Sequence, residues 1–205
     1  VSGGNEFGTG DPFYRDRLYR NNGAAGFEKI PAAVPAGETT SGSCVAANDF
    51  DKDGDLDLFV GGRLAAQMYP ITPKSYVLRN DSKNGTIQFT DITTSLSSEL
   101  QLPGMVTDAA WVDIDKDGYA DLVLVGEWMP IKVFKNRKGK SFEDVSNALG
   151  FANTEGWWTK IEIDDLDGDG DIDFLLGNAG KNLQYHASKN EPIEYHIQDI
   201  NNDGG

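Results

Sequence analysis

Residues Asp49–Gly61 read DFDKDGDLDLFVG, and their pattern recurs along the chain. The second copy is DIDKDGYADLVLVG at Asp113–Gly126, and the third is DLDGDGDIDFLLG at Asp165–Gly177. A further copy begins at Asp199 with DINNDG. The first three copies share acidic residues at alternate positions, Gly at position six and Asp at position nine.

This spacing predicts a loop that holds a hard cation. Side chains at positions one, three and five of a tight loop converge, and Gly at position six lets the carbonyl of residue seven turn inward. The three loops contain no His or Cys, and oxygen-only ligands favour calcium over zinc or copper. Magnesium is disfavoured because it prefers strict octahedral geometry and keeps its waters.

The residues after each loop distinguish two kinds of calcium site. An EF-hand needs flanking helices and a bidentate Glu at position twelve. Here position twelve is Val or Leu, and a short apolar run ending at Gly comes after position nine. Such runs are typical of buried strands. The loop is therefore predicted to connect two strands, with Asp57, Asp121 and Asp173 in the closing ligand position.

A second motif alternates with the loops. An alternating strand ending in Asn, a polar turn and a strand bearing Phe recur at residues 18–30, 76–92 and 132–145. The pattern and the turn residues predict a hairpin. Two interleaved motifs with one period of about 50–60 residues define a repeat architecture. About four strands per repeat is typical of a propeller blade.

We therefore predict an all-β fold: a partial β-propeller of about three four-stranded blades plus half-blades, with calcium loops between strands. The predicted repeats are residues 13–48 (partial), 49–112, 113–164, 165–198 and 199–205 (partial). Because propellers close with about four to eight blades, residues 1–205 are expected to be one propeller segment, truncated at its C-terminal end.

Charge and composition exclude several classes of function. The formal net charge is -15, from 33 acidic and 18 basic residues. The three loops hold 14 of the acidic residues, so the acidity is concentrated at the predicted cation sites. No basic stripe is available to neutralise phosphates, which disfavours nucleic-acid binding. There is no membrane-spanning apolar run and no signal-peptide pattern. The single Cys44 is expected to be a buried structural thiol.

The acidic loops, the strands that end in Gly and the LYRN hairpin at Leu18–Asn21 resemble the FG-GAP/VCBS repeat family. Repeats of that family form calcium-binding β-propellers related to the integrin α head. The segments GEWMP at 126–130 and GNAGKN at 177–182 are similar to large surface-exposed VCBS proteins of Bacteroidota.

The resemblance implies calcium ligands from the side chains at positions one, three, five and nine and from the carbonyl at position seven. The implied ligands are Asp49, Asp51, Asp53, Asp55 and Asp57 in the first loop, Asp113, Asp115, Asp117, Tyr119 and Asp121 in the second, and Asp165, Asp167, Asp169, Asp171 and Asp173 in the third. Weaker candidates for an incomplete fourth site are Asp199, Asn201 and Asp203, because Asn replaces Asp there.

We expect a non-enzymatic, calcium-stabilised module that interacts with a protein or a glycan, secreted or anchored at the bacterial outer-membrane surface. His186 and His196 are in no recognisable catalytic or metal-binding spacing. Two alternatives stay open. Exposure of Trp128 or of the Trp157–Trp158 pair in one pocket would favour a carbohydrate-binding module. A basic residue and a carboxylate that face one cleft away from the loops would favour part of a polysaccharide lyase, with catalytic residues in other blades.

Overall fold

The computed structural model describes residues 4–5, 7–8, 10–23, 25–35, 40–180, 187–188 and 190–194. In these residues the regular structure is almost entirely strand, which confirms the all-β prediction. The strands are β1 (Leu18–Asn21), β2 (Phe27–Ile30), β3 (Ser41–Asn48), β4 (Asp57–Leu64), β5 (Tyr76–Asn80), β6 (Phe89–Asp91), β7 (Met105–Val112), β8 (Asp121–Met129), β9 (Lys132–Asn136), β10 (Phe142–Asp144), β11 (Gly156–Asp164) and β12 (Asp173–Asn178). The helices are α1 (Thr93–Leu96) and the 3-10 turns Pro12–Tyr14 and Ser98–Gln101.

The strands form antiparallel meanders. Strands β1–β2 make sheet I, β3–β6 make sheet II, β7–β10 make sheet III and β11–β12 make sheet IV. A short pairing of Gly156 and Trp157 with the end of β8 joins sheet IV to sheet III. The predicted hairpins at 18–30, 76–92 and 132–145 are β1–β2, β5–β6 and β9–β10.

Each of the sheets II, III and IV begins one strand before the start of the corresponding predicted repeat. Each acidic loop connects the first and second strands of a sheet, so the strand before the loop belongs with the strands after it. The described residues form one two-stranded sheet (I), one four-stranded sheet (II) and one six-stranded sheet in which sheets III and IV are joined, and these do not close into a ring. The expected count of about three four-stranded blades is therefore not established. About a third of repeat 165–198 and all of 199–205 lie outside the described residues.

The core lies between successive sheets. Along β8, Leu122 and Leu124 pack into a cluster shared with sheet II, whereas Val123 and Val125 pack into a cluster shared with sheet IV. Successive side chains of a strand point to opposite faces, so β8 is buried on both sides. This double burial explains why its sequence is a continuous apolar run rather than an alternating one.

Hydroxyl groups connect the first strands of neighbouring sheets. The Ser43 Oγ of β3 donates to the Val106 carbonyl of β7 at 2.5 Å. The Thr107 Oγ1 of β7 donates to the Trp158 carbonyl of β11 at 2.8 Å. Strands β3, β7 and β11 therefore lie side by side, with the acidic loops at one end of the sheets. Within the described part of the chain, no helix is long and apolar enough to cross a membrane.

Two glycines at or next to the ends of the first two apolar runs, Gly62 and Gly126, are required by close backbone contact. A Cβ added at Gly126 would lie 2.1 Å from the Met105 carbonyl oxygen, and one at Gly62 would lie 2.1 Å from the Lys74 carbonyl oxygen. We expect Gly126→Ala to lower the free energy of unfolding by about 1–3 kcal/mol, since a rigid backbone atom must move. Urea denaturation measures the change.

The matched control for this substitution is Gly8→Ala. A Cβ at Gly8 meets no atom within 4 Å, so its free energy of unfolding should stay within about 0.5 kcal/mol of the parent value. Equal stability of the two variants would contradict the backbone contact at Gly126.

Cys44 lies half-buried on β3, less enclosed than expected from the sequence, against the cluster between sheets II and III. Burial raises the pKa of its thiol from 9.0 to about 11. The thiolate fraction near pH 8 should then be about 100-fold below that of an unperturbed thiol, and the thiolate is the reactive form. We expect slow reaction with Ellman's reagent in the folded chain and fast reaction in guanidinium chloride. Similar rates in the two states would contradict the burial of the thiol.

Candidate metal centres

In each acidic loop, the carboxylate at position one accepts hydrogen bonds from backbone N–H groups of the same loop. The Asp49 carboxylate at position one accepts from the backbone N–H groups of Asp53 and Gly54, both at 3.1 Å. Asp113 accepts in the same way from positions five and six at 3.0 and 2.7 Å. In all three loops, positions four and six have a left-handed backbone, which favours Gly. Position six is Gly in every copy, as the sequence predicted.

The loops bring acidic side chains together. In each loop, three residues offer carboxylate oxygens that all lie within 4.8 Å of one another. The groups are Asp49, Asp51 and Asp53 in the first loop, Asp113, Asp115 and Asp121 in the second, and Asp165, Asp167 and Asp173 in the third. Clusters of this kind can hold a metal ion.

Other predicted ligands lie outside these three groups. They are Asp57 in the first loop, Asp117 in the second and Asp169 in the third, together with the position-seven residues Asp55, Tyr119 and Asp171, for which only the backbone carbonyl was expected to bind. Asp199, Asn201 and Asp203 lie outside the described residues.

The carboxylate at position nine is buried in the first two loops and half-buried in the third. Asp57 is fully buried, and its Oδ1 accepts from the Asn80 N–H at 2.8 Å. Its Oδ2 is buried without a hydrogen-bond partner among the described residues. Burial, with further contributions from the charges of Asp51, Asp53 and Asp55, raises the pKa of Asp57 to about 7. An unpaired buried carboxylate oxygen is costly, and a cation would satisfy it, so the first loop fits a metal ion.

Burial also raises the pKa of other loop carboxylates. The pKa values of Asp51 and Asp55 lie above the usual value, first because of burial and then because neighbouring carboxylates repel. The same holds for Asp121, although hydrogen bonds from Asn136 and Ile114 partly oppose the rise. These loops therefore carry negative charge at an electrostatic cost that a bound cation would remove.

Two asparagines support the loops and were not predicted to do so. The Asn80 N–H donates to Asp57, and its side-chain amide donates to the Leu56 carbonyl at 3.2 Å. Asn136 repeats the arrangement, with its N–H 2.8 Å from Asp121 Oδ1 and its amide 3.0 Å from the Ala120 carbonyl. From the sequence, both residues were assigned only to the hairpin turn. Their recurrence after the first and second loops was the available signal.

Lysines at position four connect successive loops. The Lys52 Nζ lies 4.4 Å from the ring centroid of Tyr119, at position seven of the second loop. The Lys116 Nζ donates to Asp171 Oδ1, at position seven of the third loop, at 2.7 Å. Each lysine therefore places a positive charge beside the next acidic loop. Both contacts are on the surface, where single ion pairs contribute little stability.

The tryptophans divide between the core and the opposite end of the sheets. Trp111 packs in the core between sheets II and III and donates to the Ala46 carbonyl at 3.1 Å. Trp158 packs between sheets III and IV, whereas Trp157 meets Trp128 edge to face at 5.1 Å. Trp128, Trp157 and Trp158 are all half-buried. The Trp128 indole N–H donates to the Tyr69 hydroxyl at 2.5 Å.

A cleft of about 250 Å³ lies at this end of the sheets, away from the acidic loops. Its lining residues are Gly4, Asn5, Ser41, Gly42, Arg63, Leu64, Tyr69 and Glu127. The buried Glu127 Oε1 accepts from two nitrogens of Arg63, Nε at 2.8 Å and Nη2 at 2.6 Å. Neither residue of this ion pair was predicted as a site residue from the sequence. His186, His196, Lys181 and Asn182 lie outside the described residues.

Repeated antiparallel meanders with an acidic loop between the first and second strands define a β-propeller-like repeat protein. The family model described as FG-GAP-like repeat matches residues 5–60 and 113–176, which is more than half of the chain. The chain therefore belongs to the FG-GAP-like repeat family. No curated protein matches the chain.

Proposed function

We propose that this chain is a non-enzymatic segment of a calcium-stabilised β-propeller that presents binding surfaces outside the cell. The observation that carries the calcium assignment is the first loop, where three carboxylates converge beside the fully buried Asp57, whose Oδ2 has no partner among the described residues. Oxygen-only ligands in a flexible loop suit calcium.

The ligand residues would act alike in the three loops. Side chains at positions one, three, five and nine and the carbonyl at position seven would surround the ion. Position nine lies at the start of the second strand of each sheet, so a bound ion would connect the loop to that sheet. Bound calcium would neutralise the carboxylates and crosslink the loop to the sheet. Because the ion would bind only the folded loop, its binding free energy would add to the free energy of folding.

Metal content tests this assignment. We expect elemental analysis to find about three calcium ions per chain after dialysis against calcium. After dialysis against magnesium or zinc at the same concentration, we expect few magnesium or zinc ions per chain. A stoichiometry below one, or tighter binding of zinc than of calcium, would contradict the proposal.

The extracellular location rests on the expected affinity and on the resemblance to surface-exposed VCBS proteins of Bacteroidota. Calcium modules that work outside cells bind with dissociation constants of about 10⁻⁴–10⁻³ M, and four or five ligands from one exposed loop suit that range. Proteinase K treatment of intact source cells tests the location. Digestion of the chain without lysis is expected, and protection until lysis would oppose it.

A carbohydrate-binding module is the second candidate, favoured by the exposed Tyr69 beside Arg63 and Glu127. The same cleft contains the basic residue and the carboxylate that a lyase would need. Arg63 and Glu127, however, bind each other through two hydrogen bonds, and such a pair suits binding better than proton abstraction. Incubation with a polyuronate, followed by ultraviolet absorbance, tests the lyase alternative, and appearance of unsaturated product would favour it over our proposal.

A further inference from the structure

The cleft between sheets II and III combines an aromatic ring with a neutralised ion pair. Tyr69 is 42% exposed and lines one wall. Arg63 is 53% exposed in its side chain, whereas its partner Glu127 is 3% exposed. Arg63 is six residues along β4 from Asp57, so the cleft lies about 20 Å from the acidic loops at the usual strand rise. It is a separate site from the metal centres.

The aromatic wall is held in place by two tryptophans. The Trp128 indole donates to the Tyr69 hydroxyl, and Trp157 packs against Trp128. Trp128 has a φ of 57°, a left-handed conformation that is costly for a bulky residue and is concentrated at functional sites. A ring fixed before binding loses little conformational entropy when a ligand packs on it.

We propose that this cleft binds a neutral pyranose ring of a glycan. A pyranose offers an apolar C–H face, which an exposed aromatic ring can cover, and a rim of hydroxyl groups that both donate and accept. The Arg63–Glu127 pair supplies N–H donors and a carboxylate in the same cleft, and two of the five guanidinium N–H groups are used by Glu127. This deepens the proposed function and depends on it.

Size and charge narrow the ligand class. A volume of about 250 Å³ is below the ~300–1,000 Å³ of drug-sized sites and suits one sugar ring. Arg63 and Glu127 cancel each other's charge, and the chain carries a net charge of -15. The carboxylate of a uronic acid would be repelled by the acidic chain, and the charge of Arg63 is already neutralised by Glu127. A neutral sugar is therefore favoured over an acidic one.

The test is calorimetric titration of the calcium-loaded chain with methyl glycosides of glucose, galactose, mannose and glucuronic acid. We expect at least one neutral glycoside to bind and the glucuronide to bind more weakly. Tyr69→Ala should weaken binding at least about tenfold, Tyr69→Phe should weaken it less, and Arg63→Lys should weaken it several-fold because the planar fork is lost. Tyr19→Ala is the matched control, since Tyr19 is 55% exposed on β1.

Thermal unfolding of every variant in calcium accompanies the titrations. If Tyr69→Ala does not fold, Arg63→Lys and Tyr69→Phe decide the outcome. Absence of neutral-glycoside binding, preference for the glucuronide, or binding unchanged in the folded Tyr69 and Arg63 variants would overturn the inference. If calcium stabilises the chain but no glycoside binds, only the glycan inference is contradicted. If the chain binds no calcium, the proposed function is contradicted.

Discussion

Removal of calcium is expected to lower the melting temperature of the chain by about 15–30 °C. At a calcium concentration about 100 times the dissociation constant, each independent site contributes about 2.7 kcal/mol, so three sites contribute about 8 kcal/mol. A chain of this size loses about 2–4 °C for each kcal/mol. The loops give the physical reason, because each holds three or more carboxylates whose mutual repulsion a bound cation would relieve.

The measurement is circular-dichroism melting of one preparation in calcium, in EGTA, and in EGTA followed by excess calcium. Recovery in the last sample separates metal loss from irreversible damage. Excess magnesium serves as the matched ionic control and should restore only part of the lost stability, because magnesium keeps its waters. A melting temperature unchanged by EGTA, in a sample whose calcium content has fallen to zero, would show that the loops do not hold the fold.

Local patterns in the sequence predicted the strands, the hairpins and the acidic loops. The apolar run after each position nine indicated a buried strand, and β4, β8 and β12 are those strands. The DxDxDG spacing predicted convergence of positions one, three and five, which is found in the first loop; in the second and third loops the converging carboxylates are at positions one, three and nine. These features depend on residues close together in the sequence, where periodicity and turn chemistry determine the local conformation.

Features that depend on distant residues could not be predicted in this way. The repeat boundaries were placed at the loops, because nothing local shows that β3 pairs with β4 across a loop rather than with an earlier strand. The Arg63–Glu127 pair joins residues 64 positions apart, and its partners lie on different sheets. The Asn136 side-chain amide donates to the carbonyl of Phe50, in the first acidic loop. Only the packing of one sheet on the next brings such residues together.

Replacement of Asp121 by Ala is expected to be the most damaging single change in the second loop. Asp121 is 2% exposed, and its two oxygens accept from the N–H groups of Ile114 at 3.1 Å and Asn136 at 2.8 Å. Its loss would remove a proposed calcium ligand and leave both donors without their acceptor. We expect calcium binding to fall from about three ions to two, and the free energy of unfolding to fall by about 2–5 kcal/mol even in EGTA.

Asp117→Ala is the matched control in the same loop, because it separates the metal role from the structural one. Asp117 is exposed and accepts from the Tyr119 N–H at 2.9 Å. Its loss should weaken calcium binding at the second site but change stability in EGTA by less than about 1 kcal/mol, since exposed N–H groups can bond to water. Asp121→Asn retains an amide oxygen for one donor and should lie between the two. Equal unfolding free energies of Asp117→Ala and Asp121→Ala in EGTA would show that position nine supports the fold only through the metal. The buried hydrogen bonds from β9 and from the loop to Asp121 would then have no independent structural role.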